Sequence, residues 1–441
     1  MRETLFYIPN AINDWPVFGF GLLLAAWSVF ALASFAWLVR KQGMNLDTLG
    51  YVPLYLVVAA AIVWLLPAIA EPRGLPIRGY GVMMLIAVVS ATALAVWRAR
   101  RVGVDPEIIF SLAFWMFVPG ILGARLFYVV EYWEPQYRPI LEHEGWPGAL
   151  KQIFNVAGGG LVVYGAFFGG VLGLLAFVRK RRLPVLPLCD LIAPSLILGQ
   201  AIGRLGCMLN GCCFGGPCEL LWAVTFPEGS PPYVSQLERG TLLGFTISED
   251  PKQSPVEVES VAAGSPAAEA GVRRGDRLTA INGHAISQAG AAHELFHELA
   301  HEIEGVRIRL RLDFEGPAGV KTLRVPEMPH PSRSLPVHPT QLYSAIDAFL
   351  LCFLLLAFEP FARRDGEVFA LLVTMHPVAR FLLEMIRTDE ANFLGTGLSI
   401  SQSVSLLILL GAAALWAYIL TRPRGRTWLP VPPPDFRRGA A

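Results

Sequence analysis

The densest concentration of reactive residue types in this chain is Gly203-Arg-Leu-Gly-Cys-Met-Leu-Asn-Gly-Cys-Cys-Phe-Gly215, at the end of an apolar run that begins near Leu188. An arginine at membrane depth costs roughly 2.5–3.5 kcal/mol on insertion scales, so one set beside close-approach glycines is expected to face a protein-lined cavity rather than lipid. Arg204 therefore reads as an anion ligand, with snorkelling from a helix end to the interface as the alternative use of the same side chain. A second constellation lies downstream, where His338-Pro-Thr-Gln-Leu-Tyr343 opens one apolar run and Arg380-Phe-Leu-Leu-Glu-Met-Ile-Arg387 closes the next. Residues 380, 384 and 387 share a helical face, so two cations and a carboxylate form one stripe. Charges there are costly unless they pair with one another or serve a ligand. Guanidinium groups grip phosphate through two parallel hydrogen bonds.

The elements that must position these groups are membrane spans. The 441 residues are 54% hydrophobic and only 16% charged, against about 25% charged in an ordinary soluble domain. Apolar runs near 16–39, 51–70, 79–97, 108–130, 158–178, 188–206, 341–360, 367–387 and 399–421 each approach the ~20 residues that cross a bilayer. Basic clusters at Arg40-Lys41, Arg98 to Arg101, Arg179 to Arg182, Arg363-Arg364 and Arg422 to Arg426 fall at alternate ends. With those clusters cytoplasmic, the N-terminus lies outside, the C-terminus inside, and about nine crossings agree. No charged leader precedes the first run, so no removable signal peptide is expected. The formal net charge of +1 says nothing about partners, and with no basic patch in the sequence no nucleic-acid partner is expected.

Residues 219–337 break this pattern by being polar, and the topology places them outside. Within them, Gly264-Ser-Pro-Ala-Ala-Glu-Ala-Gly271 leads into Gly275-Asp-Arg-Leu-Thr-Ala-Ile-Asn-Gly283, a turn, short helix and strand that resemble a PDZ domain over about 238–328. The resemblance puts Leu243, Gly244 and Phe245 in the loop that captures a peptide or protein C-terminus, with His293 on the helix flanking the groove. His293-Glu-Leu-Phe-His297 and His297-Glu-Leu-Ala-His301 also fit a zinc-protease pattern. An external, highly charged helix beside a groove is the plainer account of them, and no metal is expected there.

Taken in order, Arg78-Gly-Tyr80-Gly, Gly123-Ala-Arg125-Leu-Phe-Tyr128, Gly159 to Gly165 with Tyr164, Asp190 with Pro194, Gly203 to Gly215, His338 to Tyr343 and Arg380 to Arg387 resemble the prolipoprotein diacylglyceryl transferase family over about 70–421. The resemblance implies an enzyme that moves a diacylglyceryl group from phosphatidylglycerol to the lipobox cysteine thiol of prolipoproteins. It implies catalytic roles for Tyr80, Tyr164, Arg204, His338, Arg380 and Glu384. Substrate contacts would come from Arg125, Asn210, Gly215, Gln341, Tyr343 and Arg387, with no cofactor. The expected fold is an all-α polytopic membrane protein of about nine helices with an inserted small α+β PDZ-like domain, in a bacterial inner membrane. Residues 1–70 add two N-terminal spans, 71–218 and 338–421 form the transferase body, and 422–441 are a basic, proline-rich cytoplasmic tail. The partners are phosphatidylglycerol, the prolipoprotein signal-peptide region and a peptide or protein end in the groove.

Departures from the family pattern bear on the chemistry. Cys207 and Cys212 stand where the family usually has asparagine and glutamate, Tyr164 where histidine is common, and Ser344 where glutamate is common. Glu384, Tyr80 and Tyr164 remain as bases for the thiol proton. Cys207, Cys212, Cys213 and Cys218 would lie at the oxidising face, where disulfides are allowed and pairing stays open. A catalytically silent lipid-binding relative acting as a PDZ adaptor for envelope proteins is the alternative from another class, and an intramembrane or zinc protease is a lesser one.

Overall fold

The computed structural model describes residues 4–45, 49, 51–155, 160–248, 250–302, 311–316, 319–324, 333–387 and 398–428. It divides into two compact units, one of 4–82, 88–195 and the segment from 424, the other of 83–87 and 196–423. Among the described residues seven helices are long and apolar enough to cross a membrane.

In the first unit, strand β1 (Thr4–Ile8) is followed by the two-residue pair β2 (Ala11–Ile12) and β3 (Trp15–Pro16) and helix α1 (Leu22–Gln42). The next apolar run is broken: α2 (Val52–Ala60), a π-helical turn at Ala61–Leu65, then α3 (Leu66–Ile69). Strand β4 (Leu75–Arg78) pairs antiparallel with β1 and feeds α4 (Gly79–Arg101). Then come α5 (Pro106–Glu131), α6 (Arg138–Phe154), α7 (Val163–Arg181) and α8 (Val185–Asn210). Helices α4 and α8 contribute to both units.

Small residues set the closest helix contact. A Cβ at Gly165 would lie 2.2 Å from the Gly123 carbonyl oxygen, one at Gly169 2.1 Å from that of Pro119, and one at Gly173 1.9 Å from that of Trp115. Glycines four residues apart thus let α7 lie backbone to backbone on α5, where dispersion rather than water exclusion holds helices together. Ala95, Ala99, Leu112, Phe177, Leu188 and Leu191 form the unit's buried cluster. Beside them Arg98 donates to the carbonyls of Asp190 and Leu191.

In the second unit, α8 ends in a glycine- and cysteine-bearing turn that leads to an inserted α+β domain. Its elements are α9 (Pro231–Glu238), β5 (Phe245–Ile247), β6 (Val258–Val261), α10 (Pro266–Glu269), β7 (Arg277–Ile281), β8 (His284–Ala285), α11 (Ala289–Glu302), β9 (Arg311–Gly316) and β10 (Gly319–Arg324). One antiparallel sheet runs β10-β9-β7-β8, and β5 pairs with β6. The core joins Phe245, Ile247, Val258, Leu278, Ile281, Phe296, Leu312 and Phe314 to Tyr233, Val234 and Leu237 of α9, so the domain's packing begins ahead of residue 238. Two bridges close its neck, Val224 with Val337 and Pro227 with Arg333. Membrane helices α12 (Thr340–Phe358), α13 (Glu367–Glu384) and α14 (Ile400–Thr421) follow. Helix α13 is not among the seven apolar spans, because Glu367, Arg380 and Glu384 interrupt it.

Candidate active site

Three distant segments are knitted together by main-chain hydrogen bonds at the end of α8. Gly215 N donates to His338 O (3.0 Å), His338 N to Gly216 O (3.0 Å), Gly216 N to Ile386 O (2.9 Å) and Cys218 N to Pro336 O (3.1 Å). A Cβ at Gly215 would meet His338 Cβ at 2.7 Å and Thr340 Cγ2 at 2.8 Å, so only glycine lets the segments approach this closely. Thr340 Oγ1 donates to Cys213 O (2.6 Å) and Gln341 Nε2 to Cys212 O (2.7 Å).

Charged groups line this frame. Glu384, 5% exposed, accepts from Arg380 Nη2 at 2.9 Å and Arg387 Nη1 at 3.3 Å, and Arg380 Nη2 also donates to Ser401 Oγ at 2.8 Å. The stripe foreseen at 380, 384 and 387 is thus an ion-paired cluster, with Asp389 outside the described residues. Arg204, half-buried on the last turns of α8, makes no hydrogen bond or ion pair to protein among the described residues. On the same two helices Gln200 Nε2 lies 3.4 Å from His376 Nε2. Trp222 Nε1 donates to Tyr343 Oη at 2.7 Å, leaving that hydroxyl's proton for His338 Nδ1 at 3.4 Å. Such a chain sets His338 in the tautomer protonated at Nε2.

The frame brings Arg204, Asn210, Gly215, His338, Gln341, Tyr343, Arg380, Glu384 and Arg387 into one unit. Tyr80, Arg125 and Tyr164 belong to the other. There Arg125, 8% exposed, donates to four carbonyls, those of Ile153 (2.7 Å), Gly160 (3.0 Å), Gln152 (2.6 Å) and Asn155 (3.0 Å). Its guanidinium ties the C-terminal end of α6 to Gly160. Tyr80 is exposed at the first turn of α4, and Tyr164 is half-buried on α7. Ser344 is buried.

Sequence reasoning overlooked Gln200, Trp222, His376 and Ser401. For His376 a signal existed, since it stands one helical turn before Arg380 on the stripe already drawn; Trp222 and Ser401 depend on tertiary contacts that no local pattern carries.

In the inserted domain the N–H groups of Leu243 and Phe245 donate to Gly240 O, and that of Gly244 to Thr241 O. The turn's own donors are therefore already engaged. His293 sets Nδ1 3.0 Å from Glu238 O and Nε2 2.9 Å from Ser248 O, and His297 pairs with Glu238. The side chain of His301 lies outside the described residues. Among the described residues, the group that gathers three metal-capable side chains is Cys207, Cys212 and Cys213. None of the six cysteines, which include Cys189, Cys218 and Cys352, forms a disulfide.

Seven apolar helices among the described residues fit a polytopic membrane protein, and Arg204, Arg380 and Arg387 lie in the unit that holds the glycine frame. A family model described as prolipoprotein diacylglyceryl transferase matches residues 67–418. A phosphatidylglycerol–prolipoprotein diacylglyceryl transferase of Rhodopirellula baltica is 34% identical, over 96% of this chain and 90% of its own length. The enzyme so named in Clostridium tetani is 26% identical over 78% of this chain and 94% of its own, and that of Trichormus variabilis 36% over 39% and 58%. The chain belongs to the prolipoprotein diacylglyceryl transferase family.

Proposed function

We propose that the protein transfers a diacylglyceryl group from phosphatidylglycerol to the lipobox cysteine thiol of prolipoproteins. One observation carries the reading: Arg204 has no protein partner among the described residues, while its neighbours Arg380 and Arg387 are held by Glu384. A guanidinium with its fork unspent, beside a cation already oriented, suits a phosphodiester. Arg204 and Arg380 hold the phosphate and stabilise it as it leaves with glycerol. Glu384 aims the two arginines, and the Trp222–Tyr343–His338 chain presents a proton at Nε2 to a departing or bridging oxygen. Asn210 and Gln341 border the lipid headgroup, Tyr80 and Tyr164 serve the acceptor thiol, and Arg125 holds the end of α6 to Gly160. About nine crossings, with the N-terminus outside and the C-terminus cytoplasmic, follow from the alternating basic clusters. The inserted domain, PDZ-like in its sequence motifs, then stands outside, and β5 offers an edge on which an incoming peptide can add as a strand. Incubation of purified protein with labelled phosphatidylglycerol and a lipobox peptide tests the activity. Labelled thioether on the peptide is the expected product, and its absence with folded protein would refute the reading.

A further inference from the structure

The Sγ atoms of Cys207, Cys212 and Cys213 lie within 4.8 Å of one another. The backbone is shaped to bring them there. Cys207 stands on the last turn of α8, after which Gly211 (φ +82°) and Cys213 (φ +59°) turn the chain back on itself. A non-glycine residue at positive φ costs on the order of 1 kcal/mol or more and persists only when its surroundings enforce it. Here the enforcement is visible: Gln341 and Thr340, both buried, clamp the carbonyls of Cys212 and Cys213. The Gln341 Oε1 atom is buried with no hydrogen-bond partner among the described residues, leaving an acceptor on the amide that holds this turn. A disulfide would use two of these sulfurs and strand the third. Three sulfurs on a tetrahedral zinc sit about 3.8 Å apart, given Zn–S bonds of ~2.3 Å, so the trio closes on such an ion with shifts of about an ångström.

We propose that Cys207, Cys212 and Cys213 bind one Zn²⁺ through three thiolates and leave its fourth position to an incoming thiol. Three soft thiolates and no histidine or carboxylate select a thiophilic cation. A thiol that takes the fourth position loses its proton to solvent on coordination. On the transferase reading, on which this second step rests, the bound thiolate forms a bond to the glyceryl carbon. The carbon–oxygen bond to phosphate breaks, and its electron pair leaves on the phosphate oxygen.

Elemental analysis of the full chain, purified in detergent under reducing conditions, tests the site without reference to turnover. The expected result is stoichiometric zinc, lost in Cys212→Ser and in Cys213→Ser and kept in Cys218→Ala. Should the serine variants misfold, maleimide labelling of the wild-type chain replaces them, with the three thiols protected until a chelator is added. Cobalt in place of zinc should give a thiolate-to-metal band and tetrahedral visible bands that shift with a lipobox peptide bearing cysteine but not with its serine analogue. A metal-free chain, copper instead of zinc, a disulfide within the trio, or zinc retained in both serine variants would overturn the site. A cobalt spectrum indifferent to the thiol peptide would overturn the open position. Zinc on a chain that transfers no lipid would leave the site standing and remove the transferase reading, whereas transfer by a zinc-free chain would do the reverse.

Discussion

A guanidinium at membrane depth is costly, and in the proposed mechanism Arg204 offsets that cost by gripping the lipid phosphate. Arg204→Lys keeps the charge and removes the planar fork. A lost charge-assisted hydrogen bond of about 1.5–3 kcal/mol predicts a roughly 10- to 150-fold fall in turnover, read as thioether formation at saturating lipid with the melting temperature unchanged. Glu384 makes the opposite case. It lies between Arg380 and Arg387 with 5% of its surface exposed, so Glu384→Gln removes the carboxylate charge that both cations share. Loss of one partner of a buried pair costs about 3–5 kcal/mol. The expected outcome is a lower melting temperature and reduced turnover, with a pH–rate profile of unchanged shape. A displaced limb in that profile would make Glu384 the base instead. The stripe that carries this pair was readable from i, i+4 spacing alone, because a helix enforces that geometry wherever it lies. That the stripe pairs internally, and that Arg204 stands apart from it, depends on tertiary placement that spacing does not encode.

Among the elements, glycines decide how closely backbones meet. Gly215→Ala would drive a Cβ to 2.7 Å from His338 Cβ, and overpacking of this kind costs about 1–3 kcal/mol. Lower thermal stability together with loss of lipid binding is expected, since the same contact holds the 213–216 and 338–341 segments in register. Gly165→Ala, whose Cβ would lie 2.2 Å from a Gly123 backbone oxygen, should lower stability by a similar amount and affect turnover less. Helix existence was legible throughout, because long apolar runs admit few other folds in a membrane. Two segments were less so. The run at 51–70 is broken by a π-helical turn ahead of Pro67, and α13 bears too much charge to be judged apolar. Both deviations arise where the chain accommodates proline or chemistry, and hydropathy sees neither. Helix α9 was invisible as part of the inserted domain. Its Tyr233 is 1% exposed, and burial pushes the phenol up to about 12. Its folded value thus exceeds the unfolded one, so the contribution to stability is whole below pH 10 and is lost as pH rises toward 12. Tyr233→Phe should flatten that alkaline loss in a melting series from pH 9 to 12.

At the scale of the whole molecule, the inserted domain hangs from a two-bridge neck, and its packing reaches back to Tyr233. Excision of 238–328 alone would strip α9 of its partners and expose Tyr233, Val234 and Leu237. Replacing 228–332 with a short Gly/Ser linker respects both facts, because antiparallel partners at the neck are already about 5 Å apart. The expected outcome is retained transfer to a short lipobox peptide and weaker transfer to a subset of full-length prolipoproteins. Equal loss on both would make the domain part of the catalytic body. The domain's existence was plain in the sequence as a polar interruption with turn-helix-strand order. Its true edges were not, since α9 carries no mark that assigns it to one neighbour rather than another.

The same neck ties two folding events together. Phe226 and Ser334 bond to each other across 108 residues, and closing a floppy loop of that length costs about 4 kcal/mol in chain entropy. Once the domain between them has folded, that cost has already been met, and the 338–341 segment is delivered to the cysteine turn almost intramolecularly. A lesion deep in the domain's core, far from any lipid, therefore reaches the membrane site as slack. Phe296→Ala should make transfer to even a short peptide collapse at the temperature where the domain melts, several degrees below the loss of the membrane helices themselves. The linker variant, which has no domain to melt, should show no such break.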